Sequence, residues 1–251
     1  MKTVRAKENV FRFKRFSVRN RHSAMKVGTD GVLLGAWALH DMDIFPTKII
    51  DVGTGTGVIA LMMAQRFPDA GITGVEIDPE AAAEAAANFG ESPWSDRLKC
   101  AGMSFENFCN ECLGARGHVD LLISNPPFFP NGPVAPDASR SLARHEGELS
   151  PVALIRSAAE ILSPDGRLCL ISTDISRDSL EFEAELVGLS LERRTAVSTG
   201  EGKPPRRILW QFARKGIVSA VTEDRLTIRL RTGEASAEYT RLVEPYYLYV
   251  K

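Results

Sequence analysis

The middle of the chain alternates short apolar runs with longer amphipathic or alanine-rich stretches. The runs that predict strands are 48–52, 72–77, 98–101, 119–124 and 166–172. The stretches that predict helices are 32–39, 58–66, 80–88, 105–113, 151–162 and 177–189. Strands that alternate with helices at this spacing form a doubly wound α/β fold with a mostly parallel sheet, which is therefore the predicted fold class.

Towards the amino end, the pattern of apolar positions has a shorter period. Phe11, Phe13, Phe16 and Val18 alternate in two pairs whose phase slips at residues 14–15. A slip of one residue between two alternating pairs predicts two short strands or one bulged strand.

Two late apolar runs, 208–212 and 226–230, have no helical stretch between them. They predict an antiparallel edge strand, and together with the five central runs they give a seven-stranded sheet. No internal repeat or low-complexity linker divides the chain. We therefore predict a single domain, residues 31–251, with a basic amino-terminal extension, residues 1–30, that packs on it.

The composition is that of an ordinary soluble globular protein. The 251 residues have a formal net charge of −1, and 25% of them are charged. The first part of the chain contains no continuous apolar segment, so we expect neither a signal peptide nor a membrane-spanning helix and place the protein in the cytoplasm. Of the cysteines only Cys109 and Cys112 are closely spaced, without further ligands in a zinc or redox pattern, so we expect reduced thiols and no metal.

Basic residues are concentrated in residues 1–26, where nine Lys and Arg accompany a single acidic residue. The interleaved Phe11, Phe13 and Phe16 make this segment suitable for a phosphate backbone and unstacked bases, although a charge run is often only a solvated face. A second basic stretch covers residues 193–215. The distribution favours a nucleic-acid partner.

The motif Asn125-Pro126-Pro127-Phe128 directly follows the apolar run 119–124. It places an amide side chain and a stiff backbone at the carboxyl end of a strand, where open α/β sheets bind ligands. The Asn125 oxygen and the Pro126 carbonyl could accept the hydrogens of a planar amine, and Phe128 could stack on a base. For the motif alone, a strand-ending turn is the alternative.

A glycine-rich stretch from Asp51 to Gly57 follows a predicted strand and precedes a predicted helix, a place where a backbone can approach a ligand closely. Its spacing differs from a dinucleotide fingerprint and favours a nucleoside without a pyrophosphate. Glu76, at the end of the next strand, is placed to accept hydrogen bonds from two ribose hydroxyls. Thr29 and Asp30 are predicted to cap the first helix and could also bind a ligand there.

In combination these segments resemble a known family. Asp51 to Gly57, Glu76 and Asn125 to Phe128 are similar to the cofactor loop, the ribose-binding acid and the amine-binding motif of S-adenosylmethionine-dependent methyltransferases that modify exocyclic amines or amides. The block Met25 to Trp37 is similar to the amino-terminal signature of the bacterial tRNA(Val) adenine-N6 methyltransferase family. That family methylates the adenosine next to the anticodon.

The resemblance implies a Rossmann-like methyltransferase, S-adenosylmethionine as the cofactor and the anticodon loop of valine tRNA as the partner. The implied catalytic residues are Asn125, Pro126, Pro127 and Phe128. The implied cofactor-binding residues are Thr29, Asp51, Gly53, Gly55, Gly57, Glu76 and Ser104. Many relatives have an acid that contacts the cofactor adenine where this chain has Gly102-Met103-Ser104, so Ser104, a backbone amide or Met103 could make that contact.

Several alternatives remain open from the sequence. The acceptor could be guanine N2 of ribosomal RNA or a release-factor glutamine, or the chain could be a non-catalytic RNA- or nucleoside-binding module. Phe129 could stack on the base instead of Phe128. His145, in the irregular segment 128–148 that we predict to be a substrate-facing lid, could face RNA, have a structural role or transfer a proton. A monomer is expected.

Overall fold

The computed structural model describes residues 10–21, 23, 26–111, 118–127, 150–173 and 177–250. Its strands are β1 (Val10–Arg12), β2 (Ser17–Arg19), β3 (Lys48–Val52), β4 (Gly71–Val75), β5 (Leu98–Ala101), β6 (Val119–Ser124), β7 (Leu162–Thr173), β8 (Leu189–Ser198), β9 (Arg207–Arg214) and β10 (Thr222–Thr227). Its helices are α1 (Thr29–Trp37), α2 (Val58–Arg66), α3 (Pro79–Gly90), α4 (Phe105–Glu111), α5 (Pro151–Ile161), α6 (Arg177–Leu186) and α7 (Ala237–Val243). Strands and helices alternate from β3 to α6, as the apolar pattern predicts.

Within the described residues one sheet contains eight strands in the order β10-β8-β9-β7-β6-β3-β4-β5. β3 pairs in parallel with β4 and β6, and the parallel pairing continues to β5 on one side and β7 on the other. β9 is antiparallel to both β7 and β8. The predicted class, a doubly wound and mostly parallel α/β fold, is confirmed.

The outer strands differ from the prediction in number and position. The sheet has eight strands rather than seven, and its antiparallel strand, β9, lies between β7 and β8 instead of at the edge. Residues 208–213 of β9 are all buried, as a strand covered on both faces requires, whereas β10 at the edge is mostly polar. β10 runs parallel to β8.

Two hydrophobic clusters cover the two faces of the sheet. Ile49 and Leu121 point into the cluster beneath α1, α2, α3 and α7, whereas Ile50 and Leu122 point into the cluster beneath α4, α5 and α6. This alternation follows from the period of two residues along a strand. Among the helices of the described ranges, none combines the length and apolar character needed to span a membrane.

The amino-terminal segment forms a hairpin of β1 and β2. This hairpin packs on the first hydrophobic cluster, the one beneath α1, α2, α3 and α7. The phase slip at residues 14–15 is the turn between two strands, closed by a hydrogen bond from the Phe13 amide to the Phe16 carbonyl at 2.9 Å. Phe13 and Phe16 are 4% and 6% exposed, and Phe13 stacks on Tyr247 with ring centroids 5.8 Å apart. The boundary predicted at residue 30 falls inside helix α1.

Candidate active site

The predicted site segments follow four neighbouring parallel strands of the sheet. Ser104 follows β5, Glu76 follows β4, the glycine loop (residues 53–57) follows β3, and Asn125 follows β6. The carboxyl ends of parallel strands lie at one edge, so the fold brings these segments together. The strand order reverses between β3 and β6, and such a switch point is where open α/β sheets bind ligands.

The glycine loop has a backbone conformation that side chains would strain. Gly53, Gly55 and Gly57 have φ angles of +68°, +53° and +81°. The amides of Gly53 and Thr54 donate to the carbonyl of Val75 at 2.9 and 3.1 Å, which fixes the loop to the end of β4. A Cβ on Gly53 would have no atom within 4 Å, so this side of the loop is open to a ligand.

Asp51 lies beneath the glycine loop and organises it. Its side chain is completely buried, and its Oδ2 accepts hydrogen bonds from the Thr54 hydroxyl at 2.6 Å and the Ala60 amide at 3.1 Å. Oδ1 is buried without a hydrogen-bond partner among the described residues. Burial raises the pKa of the Asp51 carboxyl from 3.8 to about 7, against the lowering effect of these hydrogen bonds.

We expect Asp51→Asn to flatten the pH dependence of stability. Because the folded-state pKa is raised, the folded protein holds a proton that the unfolded chain has lost at any pH between 3.8 and about 7, so stability falls as pH rises through this window. The slope attributable to one such group is about 1.4 kcal/mol per pH unit, equivalent to about 3 °C in Tm. Thermal unfolding across that pH range, with exposed Asp69→Asn as control, measures it; an unchanged slope in Asp51→Asn would contradict the assignment.

Glu76 is held against the glycine loop by both carboxylate oxygens. Oε2 accepts from the Gly55 amide at 2.9 Å, and Oε1 accepts from the Asp78 amide at 3.0 Å. Each oxygen has a second lone pair for a ribose hydroxyl. Asp78 is the N-cap of α3, and its Oδ1 accepts a hydrogen bond from the Ala81 amide at 2.8 Å.

Ile77 is a site candidate that the sequence analysis missed. It follows Glu76 directly and its side chain is 54% exposed, although it lies at the ligand-binding edge of a well-packed sheet. An exposed large apolar side chain next to a ribose-binding acid can pack on the base of a bound nucleoside. The sequence did contain a signal for this role: Ile77 is a β-branched residue between Glu76 and Asp78, at a position where a turn residue is expected.

The side chain of Asn125 presents an acceptor at the end of β6 that is unpaired within the described residues. Its Oδ1 is buried and has no hydrogen-bond partner among the described residues. Its Nδ2 lies against helix α1, 3.8 Å from where a Cβ of Gly31 would be. Pro126 is buried and Pro127 is half-buried. Phe128 and the rest of the predicted lid, 128–148 with Phe129 and His145, lie outside the described residues.

The predicted capping role of Thr29 and Asp30 is wrong. Helix α1 begins at Thr29, and its N-cap is Gly28, without a side-chain hydrogen bond. Asp30 instead accepts a hydrogen bond from Nε of Arg207 at 2.8 Å, an ion pair that ties the start of α1 to the start of β9. Thr29 is exposed in the first turn, and its contact with a cofactor stays a prediction.

Ser104 lies at the start of α4. Its hydroxyl oxygen accepts a hydrogen bond from the Asn107 amide at 3.1 Å, and a hydroxyl that accepts one bond can also donate its own proton. The Glu76 amide donates to the Ala101 carbonyl at 3.0 Å, so the segments that carry Glu76 and Ser104 adjoin. Met103 is half-buried beside Ser104.

Comparison with known proteins shows the family of the chain. A family model described as "Methyltransferase small domain" matches residues 33–180. A protein from Porphyromonas gingivalis named tRNA1(Val) (adenine(37)-N6)-methyltransferase is 46% identical over 242 residues, which cover 95% of either chain. The chain belongs to this methyltransferase family. Proteins of the same name from Edwardsiella ictaluri and Tolumonas auensis are 41% and 38% identical, over 96% and 95% of this methyltransferase and 94% and 96% of their own length.

Solved structures place the methyltransferase in the same fold class. A predicted O-methyltransferase from Agrobacterium tumefaciens has a TM-score of 0.62 at 20% identity, covering 89% of this chain and 99% of its own. A SAM-dependent methyltransferase from the same organism has a TM-score of 0.55 at 17% identity, covering 79% and 67%. Likeness at these identities establishes the fold alone, and it agrees with the predicted Rossmann-like class.

In the described part of the first basic stretch of the methyltransferase, the basic side chains are exposed but the phenylalanines are not. The exposed basic side chains are Arg12, Lys14, Arg15, Arg19, Arg21 and Lys26. Phe13 and Phe16 belong to the core, and Phe11 is half-buried with its ring 4.8 Å from that of Phe13. The prediction that these rings suit unstacked bases is therefore wrong for Phe13 and Phe16, because burying them stabilises the hairpin instead.

The second basic stretch of the methyltransferase is largely used inside the fold. Its side chains with partners are Arg193, Arg194, Arg207, Arg214 and Lys215. Arg194, for example, is buried between Glu181 and Glu223. Lys203 and Arg206 are exposed. The sequence therefore overstated how much positive charge this stretch offers to a nucleic acid. Most of its basic side chains form ion pairs or hydrogen bonds that connect β8 and β9 with their neighbours.

The described part of the methyltransferase contains no group of three His, Cys, Asp or Glu side chains arranged to hold a metal ion. Cys109 is buried on α4, and Cys112 lies outside the described residues.

Proposed function

We propose that this methyltransferase transfers a methyl group from S-adenosylmethionine to N6 of an adenine in tRNA, adenine 37 of valine tRNA. The observation that carries the proposal is the buried Oδ1 of Asn125, which lacks a partner among the described residues and lies at the switch point beside the glycine loop. An amine hydrogen would satisfy this acceptor. The names of the relatives support adenine and tRNA as the acceptor.

The residues at the carboxyl edge fit the cofactor. Gly53 leaves an open side of the loop, Glu76 has lone pairs for two ribose hydroxyls, and Ile77 offers an apolar surface to the adenine ring. The Ser104 hydroxyl can donate to an adenine nitrogen. The proposed cofactor-binding set is Thr29, Asp51, Gly53, Gly55, Gly57, Glu76, Ile77 and Ser104.

The chain positions the reacting amine rather than ionising it. When bound, S-adenosylmethionine supplies a sulfonium methyl carbon that a neutral amine can attack directly. Asn125 Oδ1 and the Pro126 carbonyl accept the two N6 hydrogens, which orients the nitrogen towards the glycine loop. Pro127 stiffens this backbone, and Phe128 is proposed to stack on the extruded base. No strong base is needed, because the proton leaves for solvent after transfer.

The exposed basic residues of the amino-terminal segment support RNA binding. We propose that residues 1–30 are an RNA-facing extension and that residues 31–251 form the catalytic domain. Lys and Arg on the hairpin can contact phosphates and steer tRNA to the carboxyl edge of the sheet. A single chain is proposed to suffice in the cytoplasm, with no metal, since a neutral amine and a sulfonium donor need no Lewis acid.

Labelled methyl transfer tests the proposal. Purified protein is incubated with methyl-labelled S-adenosylmethionine and unmodified valine tRNA, and the nucleosides are analysed by mass spectrometry. We expect N6-methyladenosine at position 37 and none in a transcript with guanosine at that position. Release factor and a ribosomal RNA fragment serve as parallel substrates. Label in either of them instead, or in no substrate at all, would refute the assignment in favour of another acceptor or a non-catalytic module.

A further inference from the structure

The arm, which is defined as residues 19–21 and 23, lies across helix α3 and is held there by its backbone. Asn88 is 1% exposed; its Oδ1 accepts from the Arg19 amide at 2.8 Å, and its Nδ2 donates to the Arg19 carbonyl at 3.0 Å. One helical turn earlier Glu84, 6% exposed, accepts from the Arg21 amide at 2.7 Å. Buried polar groups destabilise a fold unless they are hydrogen-bonded, and here both side chains bind the arm.

The same asparagine also binds the glycine loop. Nδ2 of Asn88 donates to the carbonyl of Thr56 at 2.9 Å. Ser23, at the far end of the arm, has its hydroxyl oxygen 3.0 Å from where a Cβ of Gly55 would lie. A single buried side chain thus connects the basic arm to the loop proposed to hold the methyl donor.

The outer side of the arm presents guanidinium groups to solvent. Arg19 and Arg21 are exposed and line a surface groove together with Val10, Ser17 and Glu91. Arg19 is ion-paired with Glu91, and both side chains are at least half exposed. Exposed ion pairs are weak, and guanidinium groups match phosphate well, so a phosphodiester can replace Glu91 as the partner of Arg19.

We infer that Asn88 and Glu84 are positioning residues for methyl transfer to RNA. They hold Arg19 and Arg21 at a fixed distance from the glycine loop, so that RNA bound by the arm reaches the methyl donor in one register. This inference rests on the proposed function. Because Asn88 binds arm and loop at once, a ligand on the loop and RNA on the arm stabilise the same arrangement, and each raises the affinity for the other by the same factor.

The coupling factor between the two ligands is the ratio of the affinities for unmodified valine tRNA measured with and without saturating S-adenosylhomocysteine. In the wild type we expect binding to tighten about 5-fold or more. Asn88→Asp keeps the acceptor and the volume of the side chain but removes both Nδ2 donors. We expect this variant to lose most of the tightening of tRNA binding by S-adenosylhomocysteine. We also expect its KM for tRNA to rise by a larger factor than its kcat falls. Asn88→Ala is the second variant. Glu91→Gln alters only the surface partner of Arg19 and is expected to keep the coupling.

The outcomes separate this inference from the proposed function. If the wild-type protein methylates tRNA but its affinity for tRNA is the same with and without S-adenosylhomocysteine, this inference is overturned and the proposed function is not. A coupling factor that survives in Asn88→Asp and Asn88→Ala, with only a lower Tm, assigns Asn88 a purely structural role and also overturns it. Absence of methyl transfer to any tRNA overturns both.

Discussion

Replacing Asn125 with alanine is expected to lower kcat for tRNA methylation by roughly 100-fold or more, the effect typical of removing one positioned hydrogen-bonding group from an active site. The variant loses the buried acceptor that orients the amine. Affinity for S-adenosylmethionine is expected to stay close to the wild-type value, because Asn125 follows β6 whereas the proposed cofactor residues of the glycine loop follow β3. Single-turnover methylation gives the rate, and calorimetric titration gives the affinity.

Asn110→Ala is the matched control, since Asn110 is an exposed asparagine on α4. We expect it to leave both measurements unchanged. If Asn125→Ala lost cofactor binding together with turnover, the residue would hold the donor rather than the acceptor, and its assigned role would be wrong.

Gly57→Ala is expected to destabilise the protein by about 2–4 kcal/mol, because it combines an unfavourable backbone conformation with a collision in the core. Gly57 has a φ of +81°, and a Cβ there would lie 2.4 Å from Cε1 of Phe89. Phe89 is 2% exposed and packed in the first hydrophobic cluster, so it has little room to move. Urea unfolding measures the loss.

Two further variants separate the two causes. Gly90→Ala lies on α3 with no atom within 4 Å of its Cβ and no positive φ, so it is expected to be neutral or slightly stabilising. In a Phe89→Leu background, Gly57→Ala no longer causes the collision but keeps the backbone strain. We therefore expect it to lower the free energy of unfolding less in that background than in the wild type. Equal stabilities of Gly57→Ala and Gly90→Ala would show that the loop tolerates a side chain.

The centre of the fold was predictable because its sequence signals are local. The apolar run 48–52, the glycines after it and the helix 58–66 have the same bounds in the structure as in the prediction. Glycine at a strand end and a cap such as Asp78 mark boundaries without information from elsewhere in the chain. Predictions of this kind also placed the glycine loop and Glu76 at one edge of the sheet.

The outer strands were harder because long-range pairs determine them. β8 contains Glu192, Arg193 and Arg194, which interrupt its apolar pattern, so no strand was predicted there. These charges become acceptable only when Arg167 and Asp224, distant in sequence, pair with Glu192 and Arg193. The same dependence on distant partners explains why exposed and internally paired arginines of the second basic stretch could not be distinguished.

For the site, the sequence identified residue types but not their surroundings. The Asn-Pro-Pro motif indicated an acceptor, but it did not reveal that helix α1 packs beside Nδ2 at Gly31 or that Oδ1 is buried without a partner among the described residues. Likewise, Asn88 and Glu84 look like ordinary polar positions of an alanine-rich helix, because their partners in the arm lie more than 60 residues away. Such roles follow from packing alone.

The stacking of Phe13 on Tyr247 affects how the protein folds during synthesis. The Lys14 amide also donates to the carbonyl of Tyr246 at 2.8 Å, so the hairpin is bound to a segment near the opposite end of the sequence. On the ribosome the hairpin emerges before Tyr247, so Phe13 can contact Phe11 and Phe16 but lacks its stacking partner Tyr247 until that residue has been made. Contacts that close so long a loop form late. In a nascent chain the hairpin is therefore expected to dock on the core only after the strands of the sheet have been made.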